Sequence, residues 1–324
     1  MTNLPVFDDI AAIVVGDVML DVFHYGNVSR LSPEFPVPVM EKRGQEFCLG
    51  GAANVATNMK SLNAQVFLCS VIGNDEAANK VHYMLKDKNI NCTGLISSKH
   101  RKTTIKNRII GNGKQLLRID EEDKFDLLAD EEKQLTDYIG NLLAQQKVNV
   151  IVLQDYNKGV LSAQVIDKII KLSKTYNIPI CVDPKKSNFD RYNDVLLFKP
   201  NLKEFSEFCL SDFEDSEALK PAMKTFMTEH NINNLMITMA DKGLMVMQSD
   251  ENICIIPAIN CNVVDVSGAG DTVIAVASLC LAAGLPVNKM ANISNLAGGL
   301  VCEKPGIASL SRQELSEKMK KFLQ

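Results

Sequence analysis

The sequence predicts an α/β protein: a mostly parallel sheet flanked by helices on both faces, with a small β lid. Three observations carry that reading. Short continuous apolar runs recur along the chain, as in AAIVVGD (11–17), VFLCSVIG (66–73) and VNVIVLQD (148–155). Helix-patterned segments separate these runs, and strands that are apolar at every position belong to parallel sheets covered on both sides. Residues 22–48 and 103–120 break the alternation with turn residues instead of a helical period.

Each element follows from its residues. GAANVATNMKSL (51–62) and EAANKVHYMLKDK (76–88) combine good helix formers with apolar side chains at helical spacing. Further helices are expected near 130–146, 162–176 and 214–229. IPICVDP (178–184), VLLFKPN (195–201) and NLMITMA (234–240) read as short buried strands. Within the irregular stretches, SPEFPVPVMEK is rich in proline. Asn112-Gly113 stands between TTIKNRIIG and KQLLRID, a strong hairpin signal. Both stretches read as a small antiparallel lid made of insertions, about 22–48 and 103–120, able to keep water from a reaction. An edge extension of the main sheet or a dimer contact would leave the same pattern. No repeat or linker divides residues 1–324, so a single domain is expected.

Composition narrows the function. At 324 residues and 46% hydrophobic, the chain can bury a large core. Its net charge of −4 argues against a general nucleic-acid binder, which needs a broad basic field. No apolar stretch approaches the ~20 residues of a membrane span. MTNLPVFDDI lacks a basic segment followed by an apolar core, so no secretory leader is expected. Nine cysteines without a CxxC pair read as buried, reduced thiols of a cytoplasmic protein. The four histidines are isolated, with no metal-ligand spacing.

Ligands of parallel sheets gather beyond the carboxyl ends of the strands. Asp17, Asp155, Asp183 and Asn201 fall at such ends. The strongest chemical signal is VDVSGAGD (264–271), which runs directly into the apolar TVIAVASLCLAAG. Gly268, Ala269 and Gly270 leave backbone N–H groups open to an anion at a helix N-terminus, where the dipole favours negative charge. Asp271, at the mouth of that helix, can take a proton from a hydroxyl while the cradle holds the phosphoryl group under attack. A tight turn capped by Asp271 would look alike. Neither GxG string completes a dinucleotide fingerprint: Val273 follows Gly268-Ala269-Gly270 at the third-glycine position, and Leu116 follows Gly111-Asn112-Gly113. A Walker A string is also missing.

Taken together, VDVSGAGDTV, LGGAANVA (49–56) and NLKE (201–204) resemble the motifs of the ribokinase-like sugar kinases over almost the full length. The resemblance implies ATP and Mg²⁺ as cofactors, with Asp271 as catalytic base and Gly268, Ala269 and Gly270 as the anion hole. It implies that Asn201 and Glu204 organise Mg²⁺ and phosphate, indirectly for the metal. Asp21, Gly51 and Asn54 would line the sugar pocket, and Gly243 and Asn295 would contact nucleotide. Asp265 and Gly306 would form a loop for a monovalent cation such as K⁺. A homodimer joined through the lid is also implied.

Within that family, GDVMLDVFHYGNVSRLSPEFPVPV (16–39), TTIKNRIIGNGKQLLRIDEED, QDYNKGVLS and VDPKKSNFDRY are similar to strings of the bacterial D-glycero-D-manno-heptose 7-phosphate kinases. The implied activity is the kinase step alone, because no His-x-Gly-His string of a fused adenylyltransferase occurs. The implied partners are a small sugar phosphate and ATP, without nucleic acid or membrane. A terminal phosphate wants Arg or Lys. Arg30, Lys106, Arg108, Arg118 and Lys185 lie in the lid segments or just past a strand end, and each also fits an ordinary surface charge. Lys106 and Arg108 are two apart, so on a strand they share one face.

Overall fold

A computed structural model describes residues 4–213 and 215–322. The chain opens with β1 (Ala11–Gly16), β2 (Val18–Leu31), β3 (Pro38–Gly51), α1 (Ala52–Ser61), β4 (Gln65–Gly73), α2 (Glu76–Asp87) and β5 (Asn91–Ser98). Next come β6 (Thr104–Gly111), β7 (Lys114–Glu121), α3 (Ala129–Gln145), β8 (Val150–Gln154), α4 (Ala163–Tyr176), β9 (Ile180–Asp183) and β10 (Leu197–Phe198). The remainder is α5 (Leu202–Cys209), α6 (Ser216–His230), β11 (Asn234–Thr238), β12 (Leu244–Gln248), β13 (Ile253–Ile256), α7 (Ala269–Ala282), α8 (Val287–Cys302) and α9 (Arg312–Phe322).

Nine strands form the main sheet in the order β13-β12-β11-β10-β9-β8-β1-β4-β5. It is parallel from β11 through β5, and β12 and β13 add an antiparallel edge. Alternation along β1 shows why the apolar runs are continuous. Ala12 and Val14 point into one core, with α1, α2, α7, α8 and α9. Ala11, Ile13 and Val15 point into a second core, with α3, α4, α5 and α6. Both faces are dry, as the sequence pattern requires. Helix α7 is apolar nearly all round because it is buried nearly all round.

The lid is a separate four-stranded sheet ordered β3-β2-β6-β7. Asn112 and Gly113 turn the β6–β7 hairpin with positive φ at both positions, 52° and 77°, the geometry a two-residue hairpin turn prefers. The lid departs from the antiparallel expectation. Each hairpin is antiparallel inside, yet β2 and β6 pair parallel. β2 and β6 follow β1 and β5 and so both leave the carboxyl end of the parallel sheet, and the hairpins meet side by side with matching polarity. The lid strands also begin closer to the core than expected: β2 starts at Val18 and β3 ends at Gly51.

Three other readings change. The strand expected over 195–201 keeps ladder pairing only at Leu197–Phe198, with an isolated bridge from Asn201 to Thr238. Pro200, which has no N–H to give, lies in between. Helix α5 precedes the helix expected near 214–229 and was not anticipated. All nine cysteines are free, but only Cys69, Cys181, Cys280 and Cys302 are buried.

Candidate active site

The site lies where loops leave β1, β8, β9 and β10 and meet the start of α7. Gly268 is the N-cap of α7 in a left-handed conformation, φ 80°. Any side chain there would meet Asn54 Nδ2 at 2.7 Å, so the position excludes a Cβ on two counts. Among the described residues, the amides of Gly268 and Gly270 donate no backbone hydrogen bond, whereas that of Ala269 reaches Val266 O at 3.3 Å. Two of the three expected cradle amides therefore stand open. Asp271 is the third residue of the helix and does not cap it, which removes the capped-turn alternative.

The Asp271 carboxylate is 3% exposed and held from three elements. Asn54 Nδ2 on α1 donates to Oδ2 at 2.8 Å. Gln154 Nε2, ending β8, and the Tyr156 hydroxyl both donate to Oδ1, at 3.1 and 2.8 Å. Burial lifts the Asp271 carboxyl to about 6, against the pull of the Asn54 and Tyr156 hydrogen bonds. A carboxylate so poised suits a general base near neutral pH.

The neighbouring charges are strung along the strand ends. Gln154 Nε2 also donates to Asp183 Oδ2 at 3.1 Å, and Lys199 Nζ pairs with Asp183 Oδ1 at 3.0 Å. A side chain at Gly270 would stand 3.8 Å from Lys199 Nζ, which places that buried ammonium beside the cradle. From there a cleft of about 1630 Å³ runs past Tyr156, Lys185, Asn201, Gly243, Ala258 and Asn295. Asn201 caps α5: its Oδ1 accepts from Glu204 N at 2.8 Å, and Glu204 Oε2 accepts from Asn201 N at 3.1 Å. The other oxygen of Glu204 pairs with Lys185. Asn295 Nδ2 donates to Pro257 O at 2.8 Å. Asp265 accepts from Ser267 N and Gly306 N, tying its loop to the start of the last segment.

On the lid side, Asp21 is buried and paired with Arg108. Lys106 lies opposite Asp21 in register, and Arg118 lies opposite Arg108 across the next pair of strands. Burial raises the Asp21 carboxyl, while Arg108, Lys106 and Arg118 pull it back. Burial depresses the Lys106 ammonium. A side chain at Gly50 would strike Asp21, and one at Gly51 would strike the carbonyl of Asp17, so the double glycine lets β3 and α1 close on this pocket.

Most of the expected residues are thus brought together. Arg30 is not: it is exposed on the outer part of β2, roughly 30 Å along the strand from Asp21. Lys185, just past the end of β9, stands in the cleft, with its ammonium 5.4 Å from the Tyr156 ring. Of the polar residues at strand ends, Asp183 and Asn201 line the cleft. Asp17 accepts backbone N–H groups of Tyr156, Lys158 and Val160, and Asp155 binds Asn188 and Tyr192. Gln154, Tyr156 and Lys199 were missed. The one available signal was a polar residue ending each buried run, in VIVLQDY and LLFKPN.

The chain matches the pattern of the pfkB family carbohydrate kinases over residues 10–314. It is 34% identical over 95% of its length to the bifunctional protein HldE of Geotalea uraniireducens, and 36% identical over 94% to that of Helicobacter pylori strain G27. It spans 62% and 65% of those two proteins, less than two thirds of their length. Phosphofructokinase-2 from Escherichia coli, solved in complex with potassium, shares the fold with a TM-score of 0.82 at 17% identity, covering 97% of this chain and 99% of that one. The ribokinase of Arabidopsis thaliana, complexed with ribose and ATP, gives 0.74 at 15% identity, covering 96% and 98%. With its fold and its sequence in agreement, this chain belongs to the pfkB family of carbohydrate kinases.

Proposed function

We propose that the protein transfers the γ-phosphoryl group of ATP to the anomeric hydroxyl of D-glycero-D-manno-heptose 7-phosphate, giving the 1,7-bisphosphate used toward ADP-heptose and lipopolysaccharide. The carrying observation is the buried Asp271 carboxylate beside the open amides of Gly268 and Gly270, between a polar lid pocket and a long cleft. In the reaction, the sugar hydroxyl gives its proton to Asp271 as its oxygen bonds phosphorus, and the bond from phosphorus to ADP breaks. The two amides and Lys199 face the charge on the transferring group. Asp21, Gly51 and Asn54 meet the sugar, and Lys106, Arg108 and Arg118 give its distal phosphate a cationic wall. The resemblance of the chain to HldE proteins favours a heptose phosphate over other sugars.

ATP fills the cleft, with Gly243 and Asn295 near the base. Among the described residues no three His, Cys, Asp or Glu side chains gather into a metal site. Asn201 and Glu204, which line the cleft, would hold Mg²⁺ brought with the ATP phosphates, indirectly for the metal. Bound there, Mg²⁺ neutralises polyphosphate charge. Asp265 and Gly306 frame a loop suited to K⁺. The chain acts as a homodimer closed through the lid, whose exposed Leu31, Phe35, Val37, Leu117 and Ile119 offer an apolar surface. No helix among the described residues is long and apolar enough to cross a membrane.

The test is coupled ADP detection on a panel of heptose 7-phosphate, fructose 6-phosphate and ribose. The heptose phosphate is expected to give the highest kcat/KM. A preference for fructose 6-phosphate or ribose would reassign the substrate, and binding without ADP release would make the protein a sensor.

A further inference from the structure

Asp271 has two carboxylate oxygens, and they are not equivalent. Oδ1 accepts from Gln154 Nε2 and from the Tyr156 hydroxyl, which uses both of its lone pairs. Oδ2 accepts from Asn54 Nδ2, the one donor to it among the described residues, and keeps a lone pair. The Gln154 amide has a fixed orientation, because its Nε2 touches two carboxylates and can serve both only as the donor. Tyr156 is anchored just as firmly. Its own N–H and those of Lys158 and Val160 donate to the buried Asp17 carboxylate, at 2.8, 3.1 and 3.2 Å. The ammonium groups of Lys106 from the lid and Lys185 from the cleft each lie over its ring, 5.2 and 5.4 Å from the centroid.

From this geometry we infer that Tyr156 is a positioning residue for phosphoryl transfer: its hydroxyl saturates Oδ1 of Asp271 and leaves Oδ2 as the oxygen that receives the substrate proton. The inference rests on Asp271 being the base. Tyr156 also separates the lid pocket from the cleft, so the same side chain that orients the base stands at the junction of the two substrates. The groups facing Asp271 from the surrounding elements are Asp183 and Lys199 from the strand ends and Tyr156 itself. Behind Tyr156 lie Lys106, Lys185 and Asp21. Burial, followed by the charge of Asp271, keeps the phenol protonated and therefore a donor across the working pH range.

The test compares Tyr156→Phe with Asp271→Asn, each checked for folding by thermal melting. The phenyl ring keeps its packing against the two lysines and loses only the donor. Because that hydrogen bond lowers the Asp271 carboxyl, its removal raises it. The acid limb of the kcat profile should move about one pH unit to the alkaline side. The plateau kcat should fall about tenfold with KM for ATP unchanged. In the double variant the Tyr156→Phe loss should vanish, since there is no base left to orient. If Tyr156→Phe does not fold, a difluorotyrosine placed at 156 is a stronger donor and should move the limb the opposite way.

Wild-type kcat and acid limb in Tyr156→Phe, with Asp271→Asn still inactive, would overturn the positioning role and leave the base intact. A lower KM for sugar with unchanged kcat would also overturn it, by making the hydroxyl an occupant that the sugar displaces. Turnover by Asp271→Asn would remove the base itself.

Discussion

The main sheet and the lid sheet differ in how they hold charge. Strand β1 is buried at every position and covered on both faces, while β7 is exposed at every position. Asp271 sits on the first kind of support. Its three donors come from a packed helix, a strand end and a loop pinned by Asp17. Asp21 sits at the root of the second kind, paired with an Arg whose strand has one neighbour exposed to solvent. Under the proposed function the difference separates two tasks. Proton abstraction needs atoms fixed within a fraction of an ångström. Recognition of a charged sugar tolerates side chains that rearrange when the ligand arrives.

The largest expected effect tests the rigid side. Asp271→Asn should lose at least about two decades of kcat with ATP affinity unchanged, measured by steady-state kinetics and nucleotide titration. The carboxyl lies at about 6 in the native protein against 3.8 as its ordinary value. Wild-type rate should therefore fall as pH drops through about 6. Stability runs the other way. A carboxyl raised on folding contributes stability that is complete below its unfolded value and lost as pH rises through about 6. Asp271→Asn should accordingly raise Tm near pH 8, raise it less near pH 5 and leave it unchanged near pH 3. A wild-type rate in this variant would erase the distinction between the two sheets.

A smaller effect tests the lid. Lys106→Met should raise KM for the sugar phosphate roughly tenfold to a hundredfold, with kcat within about threefold of wild type. Arg108 keeps Asp21 paired in that variant, so a drop in kcat at unchanged KM would move the lid from recognition into the chemistry. The smallest effect probes the lid's outer turn. A side chain at Gly113 meets nothing within 4 Å, so Gly113→Ala carries only the strain of its positive φ. The expected cost is about 1 kcal/mol, or about 2 °C in Tm, with kinetics unaltered.

Periodicity made the main sheet legible, because strands buried on both faces must be apolar throughout. The Asn112-Gly113 turn and the glycine cradle were legible because each needs particular residues at particular positions. The surroundings of Asp271 were not. Gln154 and Tyr156 are far in the chain from Lys199 and from Asp271, and these meet only through a tertiary arrangement that includes the strand order β10-β9-β8-β1, which no local pattern encodes. The parallel pairing of β2 with β6 escaped for the same reason. Alternation on a strand puts Lys106 and Arg108 on one face, and that logic does not reach Arg30, where distance along β2 decides.

Asp17 is the whole of the connection between β1 and β2. Its N–H reaches the carbonyl of Gln154 at 3.2 Å, and its carbonyl takes the N–H of Ala52, which opens the helix bearing Asn54, at 2.9 Å. Its carboxylate takes the N–H groups of the Tyr156 loop. This one residue therefore joins the root of the lid strand β2 to the segments carrying all three donors to Asp271. A displacement of β2 at its root would be felt at all three donors together.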